Sequence, residues 1–217
     1  MLGFRASMAV ISRVPTEAKR MTLTFDDGPH PVFTEQLLDV LRDEGVQATF
    51  FIRGGALDPG TAGLVRREAA EGHDVGNHTH GHLDLDRQPD EVVREEVERA
   101  HRDLTEILGR PPDLIRPPYG RAPERVDAIA APLGYRATVT WSVSTDDWEL
   151  PGAEAIAERL VAGAQPGAIA LLHDGCSPTR PAESREGTVG GVAIAIPRLR
   201  ALGYELVPVS RLLDERA

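Results

Sequence analysis

Two short segments hold residue types that could assemble a metal centre: Thr24-Phe25-Asp26-Asp27-Gly28-Pro29 and Asn77-His78-Thr79-His80-Gly81-His82. A carboxylate, Asp27, and two imidazoles four positions apart, His78 and His82, make three ligands for a divalent ion and leave a coordination position open. A spacing of four puts both histidines on one face of a helix, or of a turn leading into one. A histidine pair alone is weak evidence; Asp27 in a second segment strengthens it. Asp26 is a second acid beside the first. Adjacent side chains on an extended segment point to opposite sides, so the two acids do different work only if the backbone turns there. Gly28-Pro29 supplies a turn. His80 should point elsewhere, and His30, His73 and His101 read as structural or solvated.

Three further segments carry candidate groups. In Leu114-Ile115-Arg116-Pro117-Pro118-Tyr119-Gly120 an arginine is presented rigidly by two prolines. Its guanidinium suits a bidentate pair with a carboxylate that it would keep ionised, and Asp26 is the expected partner. The bland reading is a surface ion pair beside a simple turn. In Ile169-Ala170-Leu171-Leu172-His173-Asp174-Gly175, His173 is a candidate general acid if a nearby carboxylate holds it protonated; a satisfied core histidine is the alternative. Trp148, in Ser144-Thr145-Asp146-Asp147-Trp148, would make a wall for a sugar ring. Cys176 reads as an incidental thiol.

These groups need elements to position them. Candidate strands, rich in Val, Ile, Thr and aromatics, are Met21–Phe25, Gln47–Ile52, Asp74–Asn77, Asp113–Arg116, Arg136–Trp141, Ala168–Leu172 and Glu205–Pro208. Candidate helices are Thr34–Glu44 with Thr34 as N-cap, Pro89–Leu108, Ala122–Leu133, Ala153–Ala162, and Val189–Leu202 interrupted by Pro197. About seven strands alternating with helices imply a parallel α/β sheet, open or closed into a barrel. The unusual residues fall just past strand ends: Asp26/Asp27, His78/His82, Arg116 to Tyr119, Asp146 to Trp148 and His173/Asp174. In a parallel barrel that rim gathers catalytic groups.

The bulk numbers set limits. A chain of 217 residues fits one domain of this type. The formal net charge of −10 argues against a nucleic-acid partner and against a polybasic membrane contact. A single cysteine excludes an intrachain disulfide. The apolar run Met8-Ala9-Val10-Ile11 is shorter than the roughly 7–15 residues of a secretory signal core. The expectation is a cytoplasmic protein as encoded, or an extracellular or cell-wall one if the natural chain begins earlier.

Taken together, the motifs resemble those of the polysaccharide deacetylases of the NodB-homology type, carbohydrate esterase family four. Five motifs stand in the family's order across residues 22–174. The resemblance implies a single-domain, distorted (β/α)7-type barrel of parallel strands over residues 21–217, preceded by an N-terminal extension, 1–20. It implies a divalent metal, zinc above cobalt or another ion, held by Asp27, His78 and His82. It makes Asp26 the general base tethered by Arg116, His173 the general acid tuned by Asp147, and the Tyr119 amide part of an oxyanion hole. Pro117, Tyr119, Trp148 and Leu171 would line the substrate pocket. The implied partner is an acetylated sugar or oligosaccharide: chitin fragments, peptidoglycan, acetylated xylan or a small sugar metabolite. One departure stands out: Ser144 occupies a position that is usually acidic. Two rivals compete. A non-haem iron oxygenase would use the same three ligands, but has no use for Asp26 or the His173/Asp147 pair. A non-catalytic sugar-binding relic should have lost a base, ligand or acid, and none is missing.

Overall fold

The computed structural model describes residues 9–121, 124–180 and 183–214. In chain order the strands are β1 (Ala9–Ile11), β2 (Arg20–Asp26), β3 (Thr49–Ile52), β4 (Asp74–Asn77), β5 (Leu114–Ile115), β6 (Ala137–Val139), β7 (Val143–Ser144), β8 (Ala168–His173) and β9 (Glu205–Leu206). The helices are α1 (Phe33–Glu44), α2 (Ala62–Ala70), α3 (Asp90–Leu108), α4 (Glu124–Ala130), α5 (Ala153–Ala162), α6 (Glu186–Ala201) and α7 (Val209–Asp214). All named strands pair parallel, in the order β1-β6-β5-β4-β3-β2-β8-β7. β9 shares one edge of β2 with β3, pairing at Arg20 and Met21 while β3 pairs at Thr24 to Asp26.

Alternation along the strands explains the two faces. On β2, Met21, Leu23 and Phe25 turn outward into the larger apolar cluster with α1, α5 and α6. Thr22, Thr24 and Asp26 are buried on the other face. On β3, Phe50 joins the outer cluster, whereas Phe51 joins an inner one with Ile11, Val14, Leu114, Val139 and Ile169. α7 seals the inner cluster with Val209 and Leu212. Val209 N donates to Thr49 Oγ1 and Ser210 N to Asp74 Oδ2, so α7 is pinned to the starts of β3 and β4. The curled sheet meets itself where Arg13 bridges Ala168 antiparallel and Val14 N donates to Gly167 O. The result is the distorted (β/α)7-type barrel that the motifs imply.

Several elements differ from the sequence expectation. Residues 9–14 fall in the stretch assigned to an N-terminal extension, yet Ala9–Ile11 is a strand paired with β6; residues 1–8 lie outside the described residues. The expected strand Arg136–Trp141 is Ala137–Val139, with a separate β7 beyond it. Ala122, the expected start of the third candidate helix, which corresponds to α4, also lies outside the described residues. Thr34 does not cap α1. It is the helix's second residue, and its hydroxyl serves the site instead. α2 escapes a periodicity search because its buried face carries Val65 and Glu68. Pro197 does not interrupt α6, which runs through it from Glu186 to Ala201. No helix among the described residues is long and apolar enough to cross a membrane.

Candidate active site

β2 delivers Asp26 facing inward, and the chain then turns sharply. The turn starts at Asp27 itself, with φ 73°, rather than at Gly28-Pro29 as expected. A left-handed non-glycine residue is costly and needs support from its surroundings. Gly28 packs against the Asp174 carboxyl so closely that a Cβ there would sit 2.3 Å from Oδ2. Asp174 N and Gly175 N both donate to Asp26 O, and Thr34 Oγ1 donates to Asp174 Oδ2 at 2.5 Å. The end of β8 and the first turn of α1 therefore brace the Asp26-Asp27 turn.

His78 and His82 leave the end of β4 on a second irregular loop, with Thr79 and His82 also at positive φ. Asn77 holds that loop: its Nδ2 donates to Val97 O and Tyr135 Oη, and its Oδ1 accepts from Thr79 N at 2.7 Å. Glu96 on α3 accepts from Gly81 N at 2.5 Å. His78 Nδ1 lies 2.7 Å from Arg116 O, which makes Nδ1 the protonated nitrogen and frees Nε2. Burial, with His82 beside it, pushes the His78 pKa down to about 3 against the pull of Asp27, so the ring is neutral.

Asp27 Oδ1 lies 3.7 Å from His78 Nε2 and 3.3 Å from His82 Nε2. Ligand atoms about 2.0–2.2 Å from a tetrahedral ion lie roughly 3.3–3.6 Å apart. Asp27 Oδ1 is also buried without a hydrogen-bond partner, an arrangement that is unfavourable unless a cation meets it. The residues fit a divalent metal, and among the described residues they are the one cluster of three such ligands.

Arg116, fully buried, follows β5. Its Nη1 donates to Asp26 Oδ1 and to Thr24 Oγ1, each at 2.7 Å. Nε and Nη2 donate to Val139 O and Thr140 O, and the guanidinium lies 4.2 Å from the Phe51 ring centroid. The other Asp26 oxygen, Oδ2, lies 3.7 Å from His78 Nε2. Asp26 thus touches both the guanidinium and the ligand set.

His173 ends β8. Its Nδ1 meets Asp147 Oδ1 at 2.8 Å, while Asp147 Oδ2 accepts from His173 N and from Thr188 Oγ1, each at 2.8 Å. Burial alone would raise the Asp147 carboxyl, but His173, Thr188 and Arg185 hold it below its ordinary value. Thr188 lies in the first turn of α6, where the helix end also favours an anion. Burial draws the His173 pKa down, yet Asp147, with Asp26 and Asp27 behind it, pushes it up to about 9. The imidazole is therefore a cation at neutral pH.

These groups line one cavity of about 480 Å³ with Tyr119, Trp141, Trp148 and Leu171, a volume ordinary for a small-ligand site. Of the residues singled out from sequence, Arg116 and Asp147 stand behind the cavity wall, bonded to Asp26 and His173. Pro117 is buried and does not line the cavity. Tyr119, at φ 63°, is half-exposed and packs its ring against His82. Trp148 packs edge-on against His173. Ser144 lies outside the cavity and donates to Asp146 Oδ1 at 2.7 Å, so an acid two positions on partners the serine. Cys176 is buried, its thiol pushed up by burial. Sequence reasoning missed Asn77, Trp141, Arg185 and Thr188, and placed Asp174 at the rim without giving it a role. Asn77 and Asp174 sit inside the quoted motifs; Arg185 and Thr188 carry no local signal.

Comparison with known proteins places this geometry. The polysaccharide deacetylase family model matches residues 13–138. The chain is 41% identical over 196 residues to the chitooligosaccharide deacetylase of Bradyrhizobium sp. (strain ANU 289), covering 88% of this chain and 89% of that one. It superposes on the peptidoglycan N-acetylglucosamine deacetylase Bc1960 with a TM-score of 0.86 and 32% identity, covering 94% and 92% of the two chains. It also superposes on a mutant, with restored enzymatic activity, of the CE4 family pseudoenzyme BA3943, with a TM-score of 0.85 and 26% identity, covering 97% and 73%. Shared fold does not by itself carry activity, but the motif order, the barrel and these matches agree: this chain belongs to the polysaccharide deacetylase family.

Proposed function

We propose that the protein hydrolyses the acetyl group of an N-acetylated, or O-acetylated, carbohydrate and releases acetate. The observation that carries this reading is the arrangement around Asp26: a carboxylate tied to Arg116 at 2.7 Å and set 3.7 Å from a neutral metal-ligand imidazole. A second, cationic imidazole, His173, lines the same cavity. Hydrolysis needs one group to take a proton and another to give one, and Asp26 and His173 supply the two.

Asp27, His78 and His82 would hold the ion, zinc above other divalent metals given a three-ligand His/His/Asp set with an open position. When bound, it would supply Lewis acidity to the acetyl carbonyl and to water. Arg116 occupies Asp26 Oδ1, leaving Oδ2 to take a proton from the attacking water. As the carbonyl carbon becomes tetrahedral, the Tyr119 amide would donate to its oxygen. The bond to the sugar nitrogen or oxygen breaks, and His173 Nε2 gives its proton to that leaving atom. Asp147, bonded at Nδ1, fixes the tautomer that leaves Nε2 as the donor. Leu171 would contact the acetyl methyl, and Trp148 and Tyr119 the sugar ring.

Relatives acting on chitooligosaccharides and on peptidoglycan make β-linked N-acetylhexosamine oligomers the first substrates to test. The test is acetate release from chitin oligomers, peptidoglycan fragments, acetylated xylan and an N-acetyl monosaccharide, with zinc and with a chelator. Release that the chelator and Asp26→Asn both abolish supports the proposal. No release by zinc-loaded protein that still binds these sugars would replace it with a binding role.

A further inference from the structure

Ser177, Thr179, Arg180, Glu183 and Arg185 form a stretch of cavity wall that the reaction above leaves unused. Arg185 is only 2% exposed. Its Nε donates to Gly175 O at 2.8 Å and its Nη2 to Glu183 Oε2 at 3.0 Å, but its Nη1 is buried with no partner. A buried donor without a partner is unfavourable, more so on a charged group. Arg180 Nη1 meets the other oxygen, Glu183 Oε1, at 3.1 Å. One carboxylate is thus shared by two guanidiniums, and the trio carries one positive charge in excess.

The other acids of the cavity are already engaged. Asp26 pairs with Arg116 and Asp27 belongs to the ligand set, while Asp147, behind the wall, is bonded to the cationic His173 and is also held down by Arg185. Among the described residues that line the cavity, no further acid is left to balance the surplus. It also runs against a chain whose formal net charge is −10. A guanidinium matches the planar, two-oxygen face of a carboxylate better than an ammonium would, and a surplus of one calls for a singly charged anion.

The geometry points to an anion subsite: Arg185, with Arg180 as its more exposed partner, receives a carboxylate borne by the acetylated sugar. This rests on the deacetylase reading for the sugar, and it narrows the substrate class to acetylated sugars carrying an acidic substituent near the acetyl group. Ser177 and Thr179, whose hydroxyls lie 3.1 Å apart, add further donors on the same wall.

The test uses a matched pair: an N-acetylated oligosaccharide with a carboxyl on a ring substituent, and the same molecule with that carboxyl reduced to the alcohol. Equilibrium binding and acetate release are measured on zinc-loaded wild type, Arg185→Gln, Arg185→Lys and Arg180→Gln. Wild type should bind the acid at least tenfold more tightly than the alcohol, with the preference shrinking as salt rises. Arg185→Gln should erase most of that ratio, and Arg185→Lys should keep part of it. Arg180→Gln, altering an exposed side chain, guards against a misfolded Arg185 variant and should cut the ratio severalfold. Equal binding of acid and alcohol by wild type, or a ratio untouched by both glutamine variants, overturns the subsite. Acetate release from neither compound, with the binding preference intact, overturns the deacetylase reading and leaves the subsite standing.

Discussion

Arg116 Nη1 lies 2.7 Å from both Asp26 Oδ1 and Thr24 Oγ1, so one nitrogen ties two successive inward positions of β2 to the end of β5. The pair is buried, and its attraction works against a desolvation cost of several kcal/mol per ion. Its value lies in placement: Asp26 has one oxygen fixed and the other free beside the ligand set. Asp26→Asn should keep the fold and the metal but lower turnover by at least about 10²–10⁴-fold. Metal content by elemental analysis, alongside acetate release, checks both halves. Arg116→Gln should do worse than slow the enzyme. Leaving Asp26 buried and unpaired should cost about 3–5 kcal/mol of stability, measurable by denaturant unfolding.

Proton donation sets the pH profile. His173 is pushed up to about 9, so it remains protonated, and competent as an acid, until pH rises through that value. The alkaline limb of kcat should therefore fall near pH 9. Asp147→Asn removes the chief upward influence and leaves burial opposed only by Asp26 and Asp27, so the limb should move to lower pH. A limb that stays put in the variant would assign it to another group.

How much of this could be read from the chain depends on distance in sequence. Asp26/Asp27, His78/His82 and His173 were legible because each cluster is local and follows an apolar strand. The partners that tune them were less so. Thr188 and Arg185 meet the Asp147 region only because α6 packs beside α5 and α1 with its start at Asp147, and no short motif encodes that. Asn77 stood in view, but its partners Val97 and Tyr135 come from α3 and the approach to β6. Elements failed for similar reasons. Glu68 lies on the buried face of α2 with both carboxylate oxygens unpartnered, so burial raises its pKa well above the usual range. A charged residue type there masks the helical apolar pattern. β1 is three residues long and gains meaning only from its pairing with β6.

Metal binding should stabilise the fold, because the donor set exists only in the folded chain. At a hundredfold excess over Kd the gain is about 2.7 kcal/mol, or roughly 5–10 °C in Tm for a domain of this size. Scanning calorimetry with zinc and with chelator should show that difference. His82→Ala should abolish it, since the ring's Nε2 sits 3.3 Å from Asp27 Oδ1. A variant that kept the full zinc shift would place the ion elsewhere.

Acid should unfold the protein partly through His73, far from the cavity. His73 Nδ1 accepts from Ala48 N at 3.0 Å, and the ring packs edge-on against Phe50 in the core. Accepting that bond requires a neutral ring, and burial pushes the pKa down to about 4. In the unfolded chain it titrates near 6.5. Between those values the unfolded state binds the extra proton and the native state does not, so stability rises with pH across that window. The contribution is therefore complete above pH 6.5 and is lost as pH falls toward 4, amounting to about 3 kcal/mol over the interval. His73→Asn places a carbonyl oxygen where Nδ1 accepts and removes the titration. Its unfolding free energy should start lower, because the contact with Phe50 is lost, but should decline less steeply between pH 6.5 and 4 than that of wild type. Chemical unfolding of both proteins at half-unit steps measures the difference, and parallel slopes would clear His73 of the effect.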